Sequence, residues 1–248
     1  MTVIKSSQEV AIMRQAGKIV AAVLQRLRQE VKPGIKTRQL DSVAVSELKR
    51  FGAKASFKGY QGFPAHLCVS VNDEIVHGIP GERLLNEGDM VSLDFGAFFK
   101  GFHGDAAITV GVGRISPQAQ ELLTVTEAAL MAGIKAAHCG AHLGDVSAAI
   151  QNYVETRGFS VVREYSGHGV GRDLHEDPLV PNFGLRGEGS LLQKGMTLAL
   201  EPMVTAGDWR TRLDENRWTV LTADGSLSAH FEHTIAISDT EPEVLTLL

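Results

Sequence analysis

The sequence predicts an α+β fold in which helices cover one face of a mostly antiparallel sheet, assembled from two related halves. Three observations carry this reading. Two amphipathic helix patterns open the chain and a second pair opens its later half, each pair followed by short strand-like runs. A shift of 106 residues superposes Gly34 on Gly140, Gly52 on Gly158, Leu40 on Val146, Ala44 on Ile150 and Leu48 on Val154. No linker or low-complexity tract separates the halves, so 1–248 is expected to form one domain, with halves at about 1–112 and 113–248 sharing a core. A crevice between such halves is a natural place for a site.

Each element has a local cause. Ser6 and Glu9 form a capping box ahead of Val10, Met13, Gly17, Val20, Leu24, Leu27 and Val31, whose spacings of three and four mark one helix face. Lys32-Pro33-Gly34 stops that helix. Thr37 is expected to cap a second, through Leu40, Val43, Ala44 and Leu48 to Gly52. Ser116-Pro117 opens a third, with proline at the first helical position, and it breaks at Cys139-Gly140. The fourth runs through Val146, Ile150 and Val154 to Gly158. Strands are predicted at 67–71, 90–95, 106–110, 197–202 and 228–237. Asp224-Gly225 signals a tight hairpin that sets Trp218 opposite Phe231, next to Glu232.

Composition narrows the function. Of 248 residues, 24 are Lys or Arg and 29 Asp or Glu, a net charge of −5 that argues against a nucleic-acid backbone as main partner. A 44% hydrophobic and 21% charged chain is ordinary globular composition. No apolar stretch reaches the ~18 residues of a membrane span, and the first residues lack the apolar core of a secretory signal. Cys68 and Cys139 are the only cysteines and form no C-x-x-C, which excludes a disulfide framework and a zinc knuckle. A cytosolic domain is expected.

Four acids then stand where packing does not want them. Asp94 interrupts the apolar run Val91-Ser92-Leu93-Asp94-Phe95, and Asp105 opens the next strand eleven residues later. A hairpin turning at Phe99-Lys100 would set the two directly across from each other, where they repel unless a proton, a basic side chain or a cation offsets the cost. Glu201 and Glu232 each interrupt a further strand, and four embedded acids are poorly explained as four solvated edges. His168 sits between glycines in Gly167-His168-Gly169-Val170-Gly171-Arg172. This mimics a dinucleotide fingerprint but has Arg172 where the third glycine belongs. Four carboxylates and an imidazole suit two adjacent divalent cations, with Mn, Fe or Co as plausible as Zn. Such a pair bridges a water, lowers its pKa and polarises a carbonyl, so the chemistry expected is metal-assisted hydrolysis.

The order Asp94, Asp105 within Gly101-Phe102-His103-Gly104-Asp105, His168, Leu200-Glu201-Pro202-Met203 and Glu232-His233-Thr234 resembles the type I, bacterial-type methionine aminopeptidases. These belong to the metallopeptidases of the pita-bread fold. Asn72-Asp73-Glu74-Ile75-Val76-His77-Gly78-Ile79-Pro80 and 168–178 are similar to the family's other signature stretches, and the likeness spans essentially the whole chain. The resemblance implies a curved sheet between two pseudo-symmetric halves. It implies two divalent ions (Co, Mn, Fe or Zn) on Asp94, Asp105, His168, Glu201 and Glu232, with Asp105 and Glu232 bridging and a bridging hydroxide attacking the scissile carbonyl. Glu201 would also shuttle the proton. His175 would hydrogen-bond the scissile carbonyl oxygen and His77 the amide beyond it. Tyr60, Phe63, Cys68 and Trp218 would line the methionine pocket. Leu174 departs from the Phe that the family often carries beside His175. Asn72 and Ser228 match positions for a monovalent cation held by backbone carbonyls.

The implied activity is removal of the initiator methionine from nascent polypeptides whose second residue is small. The expected enzyme is a cytoplasmic monomer in transient contact with the ribosome, with no nucleic-acid specificity and no membrane association. An Xaa-Pro peptidase of the same fold carries an extra N-terminal domain, for which a first helix starting at Ser6 leaves no room. A non-catalytic adaptor on this fold loses metal ligands, and here all five are present along with both histidines.

Overall fold

Ser6 opens the first helix as its neighbours dictate. Its hydroxyl accepts the Glu9 N–H at 3.3 Å while the Glu9 carboxylate accepts the Ser6 N–H at 2.9 Å. The computed structural model describes residues 2–248, so position 1 of the expected first half lies outside the described residues. The first half contains α1 (Ser7–Glu30), α2 (Thr37–Phe51), β1 (Lys54–Ala55), β2 (Cys68–Val71), β3 (Glu74–Val76), β4 (Met90–Phe99) and β5 (Phe102–Gly111). The second contains α3 (Pro117–Ala136), α4 (Leu143–Glu155), β6 (Ser160–Val161), β7 (Ser166–Gly169), β8 (Glu176–Pro181) and β9 (Thr197–Leu200). The chain continues through β10 (Met203–Thr205), β11 (Thr211–Leu213), β12 (Val220–Thr222), β13 (Ser228–His230), β14 (Glu232–Ala236) and β15 (Glu243–Val244).

The 106-residue shift persists in three dimensions. It carries the start of α2 onto the start of α4 and β1 onto β6. It also carries the left-handed Gly52 onto the left-handed Gly158. One helix start differs from expectation. Lys36, not Thr37, precedes the first turn of α2, its N–H donating to the Gln39 side chain at 2.8 Å. The Thr37 hydroxyl is occupied elsewhere, accepting the Gly81 N–H at 2.8 Å.

Nine strands form the main sheet, in the order β1-β4-β5-β14-β9-β7-β8, with β2 beside β4 and β15 beside β14. Among the described residues every strand pairing is antiparallel. Two three-stranded sheets, β13-β10-β6 and β11-β12-β3, complete the architecture. The period-2 alternation of strands assigns the main sheet's faces. Leu93, Phe95, Ala97 and Ala106 pack with α1 and α2 residues in one buried cluster. Leu198, Leu200 and Ile235 pack with α3 and α4 residues in another. Each helix pair thus covers its own part of one face, and the alternate residues of the same strands point the other way.

Two strand predictions need correction. Asp224-Gly225 is a turn, with Gly225 at φ 74°, but its flanks do not pair as a hairpin. β12 lies between β11 and β3, while β13 pairs with β10. Both edges of β12 are therefore taken, and Trp218 is not set opposite Phe231 by that turn. The 228–237 run also divides at Phe231 into β13 and β14, which serve different sheets.

Leu27 on α1 is fully buried in the first cluster. Leu27→Ala should lower the unfolding free energy by about 2–5 kcal/mol. Urea denaturation should show an earlier midpoint with an unchanged slope.

Candidate active site

Five neighbouring strands, β4, β5, β14, β9 and β7, each bring one reactive side chain to the face away from the helices. Asp94 lies on β4, Asp105 on β5, Glu232 on β14 and His168 on β7, and Glu201 directly follows β9. Cross-strand register sorts them into two rows. Asp94 pairs with Ala107 and Ala107 with Glu232, and Glu201 stands one step beyond the Leu200–His233 pair. In the adjoining row Asp105 pairs with Gly96, while His168 pairs with Ala199 and Ala199 with Thr234. Ala107, which pairs with both Asp94 and Glu232, carries only a methyl group, and the missing side chain of Gly96 admits Ser56 and Phe57.

Asp94 and Asp105 are not directly opposed. They are diagonal neighbours, because the turn is centred on Lys100 and Gly101 rather than on Phe99 and Lys100. Both turn residues have positive φ, 49° and 89°, as a two-residue hairpin turn requires. Diagonal neighbours share a face at about 7–8 Å, within reach of carboxylates that converge. On its other side Asp94 pairs with Cys68 of β2.

Burial dominates the electrostatics. It raises Asp94 to about 7 and Glu201 to about 8, and Glu201 also repels Asp94. Asp105 and Glu232 are pushed well above the carboxylate range by burial first and then by their acidic neighbours. Burial lowers His168 to about 3. The same environment raises the Cys68 thiol, by burial and then by Asp94, so it packs as a neutral group.

The donor set fits a divalent cation. Ligand atoms of Asp105, His168 and Glu232 lie within 4.8 Å of one another. Asp94 Oδ1, Asp105 Oδ1 and Glu232 Oε1 are buried without a hydrogen-bond partner, a costly state that a bound cation relieves. His168 Nε2 lies 3.6 Å from Glu201 Oε1. Its Nδ1 is 2.8 Å from the Gly169 carbonyl oxygen. Donation from Nδ1 leaves Nε2 as a free lone pair aimed at the acids, the arrangement that metal-ligating histidines use.

All the sequence-predicted site residues other than Asn72 and Ser228 line one cavity of about 370 Å³: the five ligand candidates, His77, His175, Tyr60, Phe63, Cys68 and Trp218. Phe63, Cys68 and Leu174 are buried in one apolar cluster against Tyr60 and Trp218. Trp218 meets the edge of Phe63 at a centroid distance of 5.2 Å and an interplanar angle of 75°. His175 places its ring 4.1 Å from that of His168, and its Nδ1 is 2.7 Å from the Tyr60 hydroxyl. His77 holds a left-handed backbone, φ 61°, uncommon for a residue with a Cβ and stabilised by its setting. The next peptide is fixed on β2, where the Gly78 carbonyl accepts the Val69 N–H at 2.8 Å and the Gly78 N–H reaches Ser70 Oγ at 3.1 Å. Burial lowers His77 to about 4.

Asn72 and Ser228 adjoin each other apart from this cavity, with the Ser228 N–H donating to the Asn72 carbonyl at 2.8 Å. Phe57, Gln61 and Leu179 also line the cavity, and none of them belongs to a motif. His230 is fully buried, with both ring nitrogens unpartnered and Nε2 3.6 Å from Glu201 Oε2. Its signal was its place on the same alternating face as Glu232.

The chain is similar to known proteins along its whole length. The sequence model described as metallopeptidase family M24 matches residues 11–239. Methionine aminopeptidase 1 of Bacillus subtilis (strain 168) is 52% identical over 246 residues, covering 99% of each chain. Methionine aminopeptidase of Clostridium perfringens (strain 13 / Type A) is 50% identical over 248 residues, covering 100% of both. The crystal structure of methionine aminopeptidase from Thermotoga maritima superposes with a TM-score of 0.99 at 47% identity, covering 100% of each chain, which establishes the pita-bread fold. Five donors gathered by five adjacent strands and full-length similarity lead to one assignment: the chain belongs to metallopeptidase family M24, among its methionine aminopeptidases.

Proposed function

We propose that this metallopeptidase removes the N-terminal methionine from nascent polypeptides whose second residue is small, acting in the cytoplasm as a monomer. The observation that carries the reading is the single cavity shared by five metal-ligand candidates, two histidines and an apolar wall of Tyr60, Phe63, Cys68, Leu174 and Trp218. Aromatic and thiol surfaces suit a thioether side chain. All of these groups come from one chain, folded as one domain with halves at about 1–112 and 113–248.

Asp94, Asp105, His168, Glu201 and Glu232 would hold two divalent ions, with Asp105 and Glu232 between them. Such ions lower the pKa of a water and polarise the carbonyl it attacks. Glu201 takes the proton from the attacking water and hands it to the departing amine. His175 donates from Nε2 to the scissile carbonyl oxygen as negative charge develops there, its other nitrogen held by Tyr60. His77 contacts the following amide. The free α-amine of the substrate would sit against the metal site that these donors form, which confines cleavage to the first residue. A monovalent cation held by backbone carbonyls near Asn72 and Ser228 rests on the family resemblance alone.

Purified protein given Met-Gly-Met-Met should release free methionine, lose this activity in EDTA and regain it with cobalt or manganese. Cleavage of Xaa-Pro peptides with none of Met-Ala or Met-Gly peptides would overturn the assignment. Calorimetry should find that Asp105→Ala binds neither ion, and two ions still bound would remove its bridging role. His175→Ala should retain metal and lose roughly 10²–10³ in kcat. A pH dependence follows from the raised acids. The folded metal-free chain binds protons that the unfolded chain has already released, so its stability falls as pH rises through the folded pKa values near 7 and 8. Chelated protein should therefore melt at a lower temperature at about pH 8.5 than at about pH 7, and manganese should raise Tm more at the higher pH. A chelated Tm that rises over this interval contradicts the buried carboxylates.

A further inference from the structure

One buried ion pair lies outside the machinery described above yet touches its support. Lys5 Nζ lies 2.5 Å from Glu176 Oε2, with side chains only 2% and 8% exposed. The partners are 171 residues apart in sequence, so tertiary structure alone brings them together. Glu176 directly follows His175, and across the β7–β8 ladder it pairs with Gly169, the residue after His168. The pair therefore sits beside His168 and His175.

Each charge is engaged on several sides. Glu176 Oε1 accepts the N–H groups of Arg172 at 2.8 Å and Asp173 at 3.3 Å, closing the loop that leads to His175. Lys5 Nζ also donates to the Val3 carbonyl at 3.1 Å, and the Lys5 N–H donates to the Gly195 carbonyl at 2.8 Å. That second bond ties the segment before α1 to the turn that leads into β9. Gly171 shows how closely the partners approach. A Cβ there would stand 2.5 Å from Lys5 Cε and nearer still to the Glu176 carboxylate. This glycine of the Gly167-His168-Gly169-Val170-Gly171 run thus admits a neighbouring ion pair rather than a ligand.

We infer that the Lys5–Glu176 pair is a positioning device for His175, with Lys5 and Glu176 as positioning residues for the reaction. The physical reason is the cost of a buried unpaired charge. Without the Lys5 ammonium, the Glu176 carboxylate is drawn towards water and takes the 172–175 loop with it. His175 then moves relative to the scissile carbonyl, and displacements on the order of 1 Å at a reacting centre cost about 10²-fold in rate. The segment before the first helix thereby governs the geometry of a catalytic group far along the chain.

The inference rests on the role proposed for His175, and a double-mutant cycle separates the two. Manganese-loaded Lys5→Met, Glu176→Gln, His175→Ala and the Lys5→Met/His175→Ala double variant are assayed on Met-Gly-Met-Met, with metal content and Tm recorded. Lys5→Met should lower kcat by roughly 10- to 100-fold, with KM and bound metal unchanged. Added to His175→Ala, it should cost less than about twofold, because the group it positions is already gone. Should Lys5→Met fail to fold, Glu176→Gln carries the same test from the other side, since it leaves the buried Lys5 ammonium without a counter-charge and so breaks the same pair. Wild-type kcat in Lys5→Met or Glu176→Gln, or losses that multiply independently in the double variant, would overturn the inference while leaving His175 catalytic. Full turnover by His175→Ala would overturn both.

Discussion

Four carboxylates held together away from water are the constraint on which this protein is built. Asp94, Asp105, Glu201 and Glu232 repel one another, and burial raises the cost of ionising each. No isolated turn or helix could keep them together. The antiparallel ladder can, because the register of each strand is locked by the apolar residues on its opposite face. Slipping β4 by one residue would bury Asp94 under the helices and expose Leu93 and Phe95 to the site. The core therefore enforces the gathering of acids, and divalent cations relieve its strain.

The two helix pairs acquire their meaning from that requirement. They cover one face of the main sheet with two apolar clusters, one under α1 and α2 and one under α3 and α4. The other face is left for polar groups and for the loops that wall the cavity. Ala107 serves the same end, since it stands between Asp94 and Glu232 with only a methyl group. The histidines are supported differently. His77 is held through a strained backbone fixed to β2, and His175 through a tyrosine hydroxyl and a loop tied to a distant lysine.

Much of this was legible residue by residue. The capping box at Ser6, the stop at Lys32-Pro33-Gly34 and the Ser116-Pro117 start act within one helical turn, so neighbouring residues suffice to specify them. Asp94, Asp105, Glu201 and Glu232 were visible because each breaks a strand pattern. The failures were of pairing. A one-residue error in the turn centre moved Asp105 from opposite Asp94 to the diagonal position. The Asp224-Gly225 turn is real, but the competing edges of β11, β3 and β10 claimed the strands on either side of it. His230 shares the alternating face of Glu232, but its neighbours in the chain do not mark the Glu201 carboxylate that folding brings to 3.6 Å from it.

The amino-acid sequence by itself determined the helices, the alternation that assigns each strand two faces, and which polar residues had to be gathered on one of them. Those properties depend on neighbours one to four positions away. Tertiary structure alone decided that the strands carrying these groups lie side by side in the order β4, β5, β14, β9 and β7, which is not their order in the chain. It alone joined Lys5 to Glu176. Hydrogen-bonding edges and buried charges choose partners by complementarity across the whole molecule, and that choice is made only when the chain has closed upon itself.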